Sequence, residues 1–266
     1  MIYLIILIPL LGGILGSLSV FFIENVNSKL NKIMYGFAAG IMFAASIFSL
    51  IIPAMYRVDS SNKMFLVLLT IMGFICGFLF MIFMEKISGK IIDKKLLNEN
   101  NCDNGYDNFR KKRLKRSILL FIALTIHNIP EGIVTGIGMV DTVNLFHALS
   151  LALGIAIQNI PEGVISSIPF KEETGSKLNA FVLGTLSGIV ETIFTVIAFK
   201  FVSNFLCFMP FVLTFAASSM IFVVLKELIP NSLGIDDEEN DDESNIGMIS
   251  FLIGFVVMMI LDVVFA

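Results

Sequence analysis

The sequence predicts an all-α membrane protein with eight transmembrane helices. Hydrophobic residues make up 56% of the 266 positions and charged residues only 15%, with a mean hydropathy of +0.90, which is far from the composition of soluble domains. Apolar stretches long enough to cross a bilayer follow one another along the whole chain. The three cysteines have no ligand spacing and indicate neither a disulfide framework nor a zinc finger.

Short polar turns and two longer charged loops separate the apolar stretches. The first stretch has no basic n-region and no small-residue cleavage pattern, so we expect a retained span and not a signal peptide. The predicted spans form one membrane domain over 1–266 and cover residues 1–23, 33–56, 64–86, 117–140, 144–168, 177–202, 207–230 and 246–265. The division near 201–210 rests only on Ser203 and Asn204.

Charge in the loops predicts the orientation of the chain. Residues 87–116 form a basic loop and residues 231–245 an acidic one. With eight spans, one side of the membrane carries 14 of the 18 lysines and arginines, or 15 with Lys226. By the positive-inside rule this side is cytoplasmic, and both termini face outward. The basic loop is then a topology determinant, and we expect no nucleic-acid partner.

One sequence motif occurs twice, in adjacent spans. Asn-Ile-Pro-Glu-Gly follows His127 in the fourth span and Gln158 in the fifth. Adjacent spans run in opposite directions, so the two copies form an inverted pair. A weaker match between residues 37–42 and 215–220 relates the second span to the seventh. Together they predict that spans one to three and six to eight are related by a two-fold axis in the membrane plane, a repeat typical of secondary transporters.

Each motif copy places polar groups on one helix face. The proline lacks an N–H, so the carbonyl four residues earlier loses its usual partner, and in hydrocarbon a cation or water can replace it. Positions i and i+4 share a face, which puts His127 one turn from Glu131 and Gln158 one turn from Glu162. Glu191, in the middle of the sixth span, adds a third intramembrane carboxylate.

Two such faces packed together present an imidazole, carboxylates and amide oxygens at mid-membrane depth. Intramembrane carboxylates are costly and are functional candidates by default, and a mixed nitrogen and oxygen set suits a divalent first-row metal better than copper(I). A proline kink with a hydrogen-bonded carboxylic acid is the structural alternative, which two inverted copies disfavour. The candidate metal ligands are His127, Asn128, Glu131, Gln158, Asn159, Glu162 and Glu191.

Two further residues are weaker candidates for an entrance or an exit. His147 lies near the predicted outer start of the fifth span, where an interfacial role is the favoured interpretation. Glu227 lies beside Lys226 near the predicted cytoplasmic end of the seventh span, where an internal ion pair is favoured. The acidic run 236–243 would attract divalent cations, although such runs are usually solvated.

The two motifs, HNIPEG and QNIPEG on adjacent spans, resemble those of the ZIP (Zrt-, Irt-like) family of divalent metal transporters, in its prokaryotic zinc and iron transporter-like branch. The resemblance implies a 3+2+3 arrangement of spans, a metal pathway between spans four and five with help from spans two, six and seven, and often a two-metal site. One site is then implied for His127, Glu131, Gln158 and Glu162. An adjacent one is implied for Asn128, Asn159 and Glu191, with Glu131 and Glu162 shared.

The chain also departs from the family pattern. Gln158 stands where many members have histidine, and Ala54 follows the proline of the second span where many have an acid. The loop 87–116 has no histidine, although this loop is often histidine-rich in the family. These departures leave the metal selectivity open and argue against a histidine sensor in the loop.

Residues and resemblance together predict a multi-pass plasma-membrane protein that imports divalent cations by alternating access, with spans four and five moving against the others. Zn²⁺ is expected ahead of Fe²⁺, Mn²⁺, Co²⁺ or Cd²⁺, as cargo and not as a cofactor. The bilayer is the other expected partner, and a homodimer stays open. We expect no enzyme activity. The alternatives are an intramembrane metal-dependent hydrolase, for which the HExxH motif is missing, and a metal-gated channel or sensor.

Overall fold

The structure is a computed structural model that describes most of the chain. The described residues are 2–23, 28–56, 63–97, 117–119, 121–122, 125–126, 128–133, 135–136, 139, 145–201, 208–234 and 241–265. Every regular element within them is a helix. Together with the apolar composition, this makes the chain an all-α polytopic membrane protein.

The helices follow the predicted spans closely. In the described part of the chain the α-helices are α1 (Ile2–Ile6), α2 (Ile8–Phe22), α3 (Ser28–Ala45), α4 (Ile52–Tyr56), α5 (Lys63–Leu97), α6 (Leu145–Thr174), α7 (Lys177–Phe201), α8 (Met209–Val223), α9 (Ile229–Leu233) and α10 (Asp241–Phe265). Two π-helical turns, Ser46–Ile51 and Val224–Leu228, join α3 to α4 and α8 to α9. The described positions between 117 and 139 are also helical.

Helix length and composition support the membrane assignment. Six helical stretches in the described residues are long and apolar enough to cross a bilayer: Leu4–Phe22, Ser28–Tyr56, Lys63–Lys90, Lys177–Phe201, Met209–Leu233 and Asn245–Val264. They coincide with the predicted spans one, two, three, six, seven and eight. The fifth predicted span lies in α6, and the fourth is described only in part, so the count of eight stays a prediction.

Two helices extend into the predicted charged loops. α5 continues to Leu97, whereas the basic loop was expected from residue 87. Isoleucines at 87, 91 and 92 recur at helical spacing, which explains why the helix does not end with the membrane span. α10 begins at Asp241, inside the predicted acidic loop, and acidic residues favour the first turn of a helix. Residues 98–116, 202–207 and 235–240 lie outside the described residues.

The helices pack into two groups. α2 crosses α6, and α7 packs against both, so these helices form one group with α1 and the described positions of the fourth span. We call this group the site bundle. α3 packs along α10, α5 packs along α8, and the π turn after α3 contacts α8. This second group, with α4 and α9, is the flanking bundle.

The pairings within the flanking bundle match the predicted internal repeat. A two-fold axis that exchanges span two with seven and three with eight also exchanges the α3–α10 pair with the α8–α5 pair. Both halves also have a π turn immediately before an Ile-Pro pair, at Pro53 and at Pro230. These features support the inverted repeat, which stays a prediction because part of the fourth span is not described.

Glycine allows α2 and α6 to cross with their backbones in contact. A Cβ atom on Gly12 would overlap the carbonyl of Ala156, and one on Gly163 would overlap the carbonyl of Gly13. In the other motif copy, a Cβ atom on Gly132 would overlap the carbonyl of Glu191 in α7. Small residues at such crossings are the usual basis of helix association in membranes. The motif glycines therefore hold the motif helices against α2 and α7.

Substitution at this crossing tests the packing. Gly12→Ala should lower the melting temperature of the purified protein in detergent, because overpacking costs about 1–3 kcal/mol. The matched control is Gly13→Ala, where a Cβ atom meets nothing within 4 Å, and its melting temperature should be unchanged or slightly higher. Equal melting temperatures for the two variants would contradict the crossing described here.

Candidate metal site

The structure brings six of the predicted ligands into the interior of the site bundle. They come from the fourth span, from α6 and from α7, and none is more than 7% exposed. The six residues are Asn128, Glu131, Gln158, Asn159, Glu162 and Glu191. The seventh predicted ligand, His127, lies outside the described residues.

The first contact joins the two copies of the motif. Gln158 of the second copy donates a hydrogen bond from Nε2 to Oε1 of Glu131 in the first copy, at 2.6 Å. Both side chains are buried, and in the low dielectric of the protein interior an amide-to-carboxylate hydrogen bond is strong. The contact therefore pairs Gln158, three residues before Pro161, with Glu131, the residue after Pro130.

The second contact joins α6 to α7 and to α2. Asn159 donates from Nδ2 to Oε2 of Glu191 in α7 at 2.6 Å and to the carbonyl of Pro9 in α2 at 3.2 Å. Both hydrogens of the amide are therefore directed to α7 and α2. The carbonyl of Pro9 fixes which way the amide points, a role that the sequence did not indicate.

Three buried oxygen atoms in this cluster lack a hydrogen-bond partner among the described residues. They are Oδ1 of Asn128, Oδ1 of Asn159 and Oε1 of Glu191. Buried polar atoms are nearly always bonded, so an ion or a water molecule is the expected neighbour. Glu131 and Glu162 lie close enough to act electrostatically on Glu191. Oxygen lone pairs without a hydrogen-bond donor, next to three carboxyl groups, favour the binding of a cation.

The donor set is mixed and does not consist of acids and histidines alone. No three His, Cys, Asp or Glu side chains of the described residues converge as a metal-binding group. Amide oxygens of asparagine and glutamine are the further side-chain oxygen donors that lie beside the carboxylates in this part of the protein. Oxygen ligands of this kind are compatible with hard and borderline divalent cations.

A cavity of about 410 Å³ lies between the two bundles, beside Glu131 and Gln158. Its site-bundle wall also includes Thr135 of the fourth span and Gly154 and Ile155 of α6. Its other wall belongs to the flanking bundle and contains Ala45, Phe48, Ser49, Leu50, Ile52, Pro53, Met220, Met258, Leu261 and Asp262. The residues from Ser49 to Pro53 and Asp262 lie near the ends of their spans that are predicted to face outward.

Asp262 is a cavity residue that the sequence reasoning missed. Its Oδ1 accepts a hydrogen bond from Oγ of Ser49 at 2.7 Å. A signal was present, because Asp262 is the one acidic residue within the predicted span 246–265, and an intramembrane acid indicates function by default. Ser49 gave no such signal, because serines are common in membrane helices.

The two weaker candidates lie away from this cluster. His147 is near the start of α6, about 16 Å along the helix from Gln158 at 1.5 Å per residue, and its side chain is outside the described part. Glu227 lines a small cavity of about 30 Å³ on the opposite side of the cluster, with Glu85, Ile122 and Ile126.

Lys226 has a partner that the sequence did not predict. Lys226 forms its ion pair with Glu85 of α5. Consecutive residues on a helix do not face each other, whereas Glu85 lies on the helix that packs against this part of the seventh span. Lys226 therefore links two helices of the flanking bundle.

Membrane helices around a buried set of carboxylates and amides, next to a cavity, define a polytopic membrane protein that handles cations inside the bilayer. Residues 99–262 match the family model described as ZIP zinc transporter. The chain belongs to this family, whose members are divalent metal transporters.

Similar proteins cover nearly the whole chain. A zinc transporter ZupT of Lysinibacillus sphaericus is 33% identical over 254 residues, which is 92% of this chain and 90% of that protein. A zinc transporter ZIP11 of Xenopus tropicalis is 30% identical over 316 residues, covering 93% of this chain and 92% of that protein. A ZupT of Clostridium perfringens is 28% identical over 279 residues, covering 96% and 93%.

Repulsion among the buried carboxyl groups predicts the effect of a neutral side chain at Glu191. Glu191→Gln should stabilise the protein by about 1 kcal/mol in the presence of a metal chelator, seen as a higher melting temperature, because a neutral amide replaces a buried carboxyl group beside two others and keeps an acceptor for Asn159. Glu191→Leu also removes the carboxyl group but leaves the Asn159 amide without this acceptor, so it should be less stable than Glu191→Gln. The opposite order would contradict the described hydrogen bond.

Proposed function

We propose that this ZIP-family chain imports divalent cations, with Zn²⁺ as the principal substrate, across the cell membrane into the cytosol. The ion binds between the fourth span and α6. The observation that carries the proposal is the buried pair of Glu131 and Gln158 at the inner end of a cavity, contributed by both copies of the motif. The names of the relatives, which are zinc transporters, support Zn²⁺ as the substrate.

The ligands divide into two adjacent groups. We assign Glu131 and Gln158, which line the cavity, to one group with Glu162, and the family resemblance adds His127 to it. Asn128, Asn159 and Glu191 form the group on the side of α2 and α7, and the oxygens without partners in this second group are available to an ion. Since Glu131 and Glu162 lie near Glu191, a bound divalent cation offsets the repulsion among all three carboxyl groups.

The balance between nitrogen and oxygen ligands sets the metal preference. The described ligands offer only carboxylate and amide groups, which also suit Mn²⁺ and Fe²⁺. His127 supplies the one imidazole of the proposed set, and imidazole favours Zn²⁺. Gln158 occupies the position where many family members have a second histidine, so we expect this protein to discriminate less sharply among divalent metals than those members.

Two cavities of unequal size support the proposed alternating access. The cavity on the predicted outer side of Glu131 has about 410 Å³, whereas the one on the predicted cytosolic side has about 30 Å³, about the share of one water molecule. In the proposed orientation this conformation corresponds to an outward-open state. Movement of the site bundle against the flanking bundle would close the outer cavity and open the cytosolic one.

The moving unit is larger than spans four and five. Gly163 and Gly132 lock these helices to α2 and α7, and Asn159 binds groups on both. Lys171 and Lys177, on either side of the turn between α6 and α7, donate to the carbonyls of Ile23 and Phe21 at the end of α2. Spans one and six therefore travel with the metal in the proposed mechanism.

A metal-dependent hydrolase is the competing function, because a carboxylate beside a bound metal could activate water. Family membership favours transport. Glu131 and Glu191 each accept a hydrogen bond from an amide side chain, which fixes the orientation of the carboxylate. A fixed orientation suits a metal ligand better than a general base.

Removal of one carboxylate tests the proposed site. Glu131→Gln should abolish saturable zinc uptake into proteoliposomes, with at least an order-of-magnitude loss of initial rate, because the charge shared by both ligand groups is lost. The matched control is Glu172→Gln, an exposed glutamate near the end of α6, which should transport at the wild-type rate. Undiminished uptake by Glu131→Gln would refute the assignment.

The cavity carboxylate Asp262 should act on capture and not on translocation. Asp262→Asn should raise the half-saturating zinc concentration about two- to fivefold, the effect of losing up to about 1 kcal/mol of attraction at a partly exposed site. The maximal rate should change little, because Asp262 belongs to the flanking bundle and not to the ligand groups. A fall in maximal rate with unchanged half-saturation would contradict this role.

A further inference from the structure

Two polar contacts occupy matching positions in the flanking bundle, at opposite ends of the pathway. Ser49 and Lys226 each lie four residues before a proline of their span, and each is part of a π turn. Ser49 binds Asp262 on α10, and Lys226 forms an ion pair with Glu85 on α5. The helix pairs that carry these contacts are the ones that the predicted two-fold axis exchanges.

The proline explains why both contacts form at this position. A proline removes the N–H that would bond the carbonyl four residues earlier, so the helix widens there into a π turn, a feature frequent at functional sites. In the two spans this carbonyl belongs to Ser49 and to Lys226. The widened turn directs each side chain toward the neighbouring helix, and the two contacts are equivalent by position.

Charge distinguishes the two contacts. The hydroxyl of Ser49 adds no charge to Asp262, which faces the large cavity. The ammonium group of Lys226 neutralises Glu85, which lines the small cavity. Lys226 also lies 5.4 Å from the centroid of the Phe222 ring, another wall of that cavity, and such a cation–π contact helps to hold the ammonium in place.

The small cavity lies on the route from the metal site to the predicted cytosolic side. Its wall on the site bundle contains Ile122 and Ile126 of the fourth span, and Ile126 precedes Glu131 by little more than one helical turn. If the site bundle moves toward the cytosol, the bound ion passes Glu85 and Glu227 on the facing wall. A Glu85 carboxylate without its Lys226 partner would retain a divalent cation at this point.

We propose that Lys226 is a release residue, which cancels the charge of Glu85 so that zinc leaving the transport site is not retained on the cytosolic side. At the equivalent outer position, Asp262 has no basic partner among the described residues, and its charge attracts the ion. The difference favours capture on one side and release on the other. This inference rests on the proposed pathway and orientation.

Inhibition by zinc on the release side tests the proposal. Uptake of radioactive zinc would be measured in proteoliposomes that contain increasing concentrations of trapped zinc. Lys226→Gln should lower the trapped concentration that halves the rate, by about two- to fivefold, the range expected for a partly exposed charge pair. The double variant Glu85→Gln with Lys226→Gln should return it to the wild-type value, and Lys226→Arg should not change it.

The controls separate this role from a structural one. Lys29→Gln, at an exposed lysine on the predicted cytosolic side, should behave as wild type. If the ion pair were purely structural, its loss would lower the melting temperature of both single variants and of the double variant. The second substitution would then not reverse any shift in trapped-zinc inhibition. Wild-type inhibition in Lys226→Gln, or no reversal in the double variant, would overturn the proposal.

Two further measurements still test the proposal if a variant does not fold or if the metal site is assigned wrongly. Should Lys226→Gln not fold, Glu85→Gln carries the test alone, because the uncompensated Lys226 must then raise the half-inhibiting concentration, and a fall or no change overturns the proposal. An error in the proposed metal site is detected separately, because Glu131→Gln would then transport zinc at the wild-type rate. The Lys226 variants would still be compared by their zinc uptake.

Discussion

Hydrogen bonds from amide side chains to buried carboxylates are the constraint on which the rest of the structure depends. A carboxylate in hydrocarbon is tolerated only when its oxygens are satisfied. Gln158 and Asn159 provide this for Glu131 and Glu191, from consecutive positions on one helix. Because the two amides point to different neighbouring helices, α6 must lie between the fourth span and α7. The polar chemistry thus fixes the order in which these helices pack.

The close helix crossings are a consequence of the same requirement. A hydrogen bond of 2.6 Å between short side chains on different helices is reached only when the backbones approach closely. Gly132 allows the fourth span to approach α7, and Gly163 allows α6 to approach α2, one residue after each motif glutamate. The helices that carry the two hydrogen bonds are thereby held together. The motif therefore combines a candidate ligand, a proline and a contact surface within five residues, which explains why substitution of its glycines should disturb the site as well as the packing.

The sequence identified most of the buried polar residues of the cluster but not their partners. Asn128, Glu131 and Glu191 stand out because polar residues are rare in an apolar span, and this contrast needs no knowledge of tertiary structure. The bond from Gln158 to Glu131 depends on how two helices cross, which spacing within one helix does not specify. The same limit explains why Lys226 was assigned to its neighbour in sequence and not to Glu85, and why Asp262 was overlooked in a span without a motif.

The two kinds of helix interface differ in how much they resist sliding. Within the site bundle, backbones interlock at glycines, and a shift along the helix axis would drive side chains into carbonyl groups. The walls of the two cavities on the flanking bundle instead carry methionines, at Met220 and Met258 on one and at Met81 and Met84 on the other. Unbranched thioether chains change rotamer at low cost and fill irregular gaps. They give the boundary between the bundles a smooth, adaptable surface, suited to repeated shear without the loss of a unique fold inside either bundle.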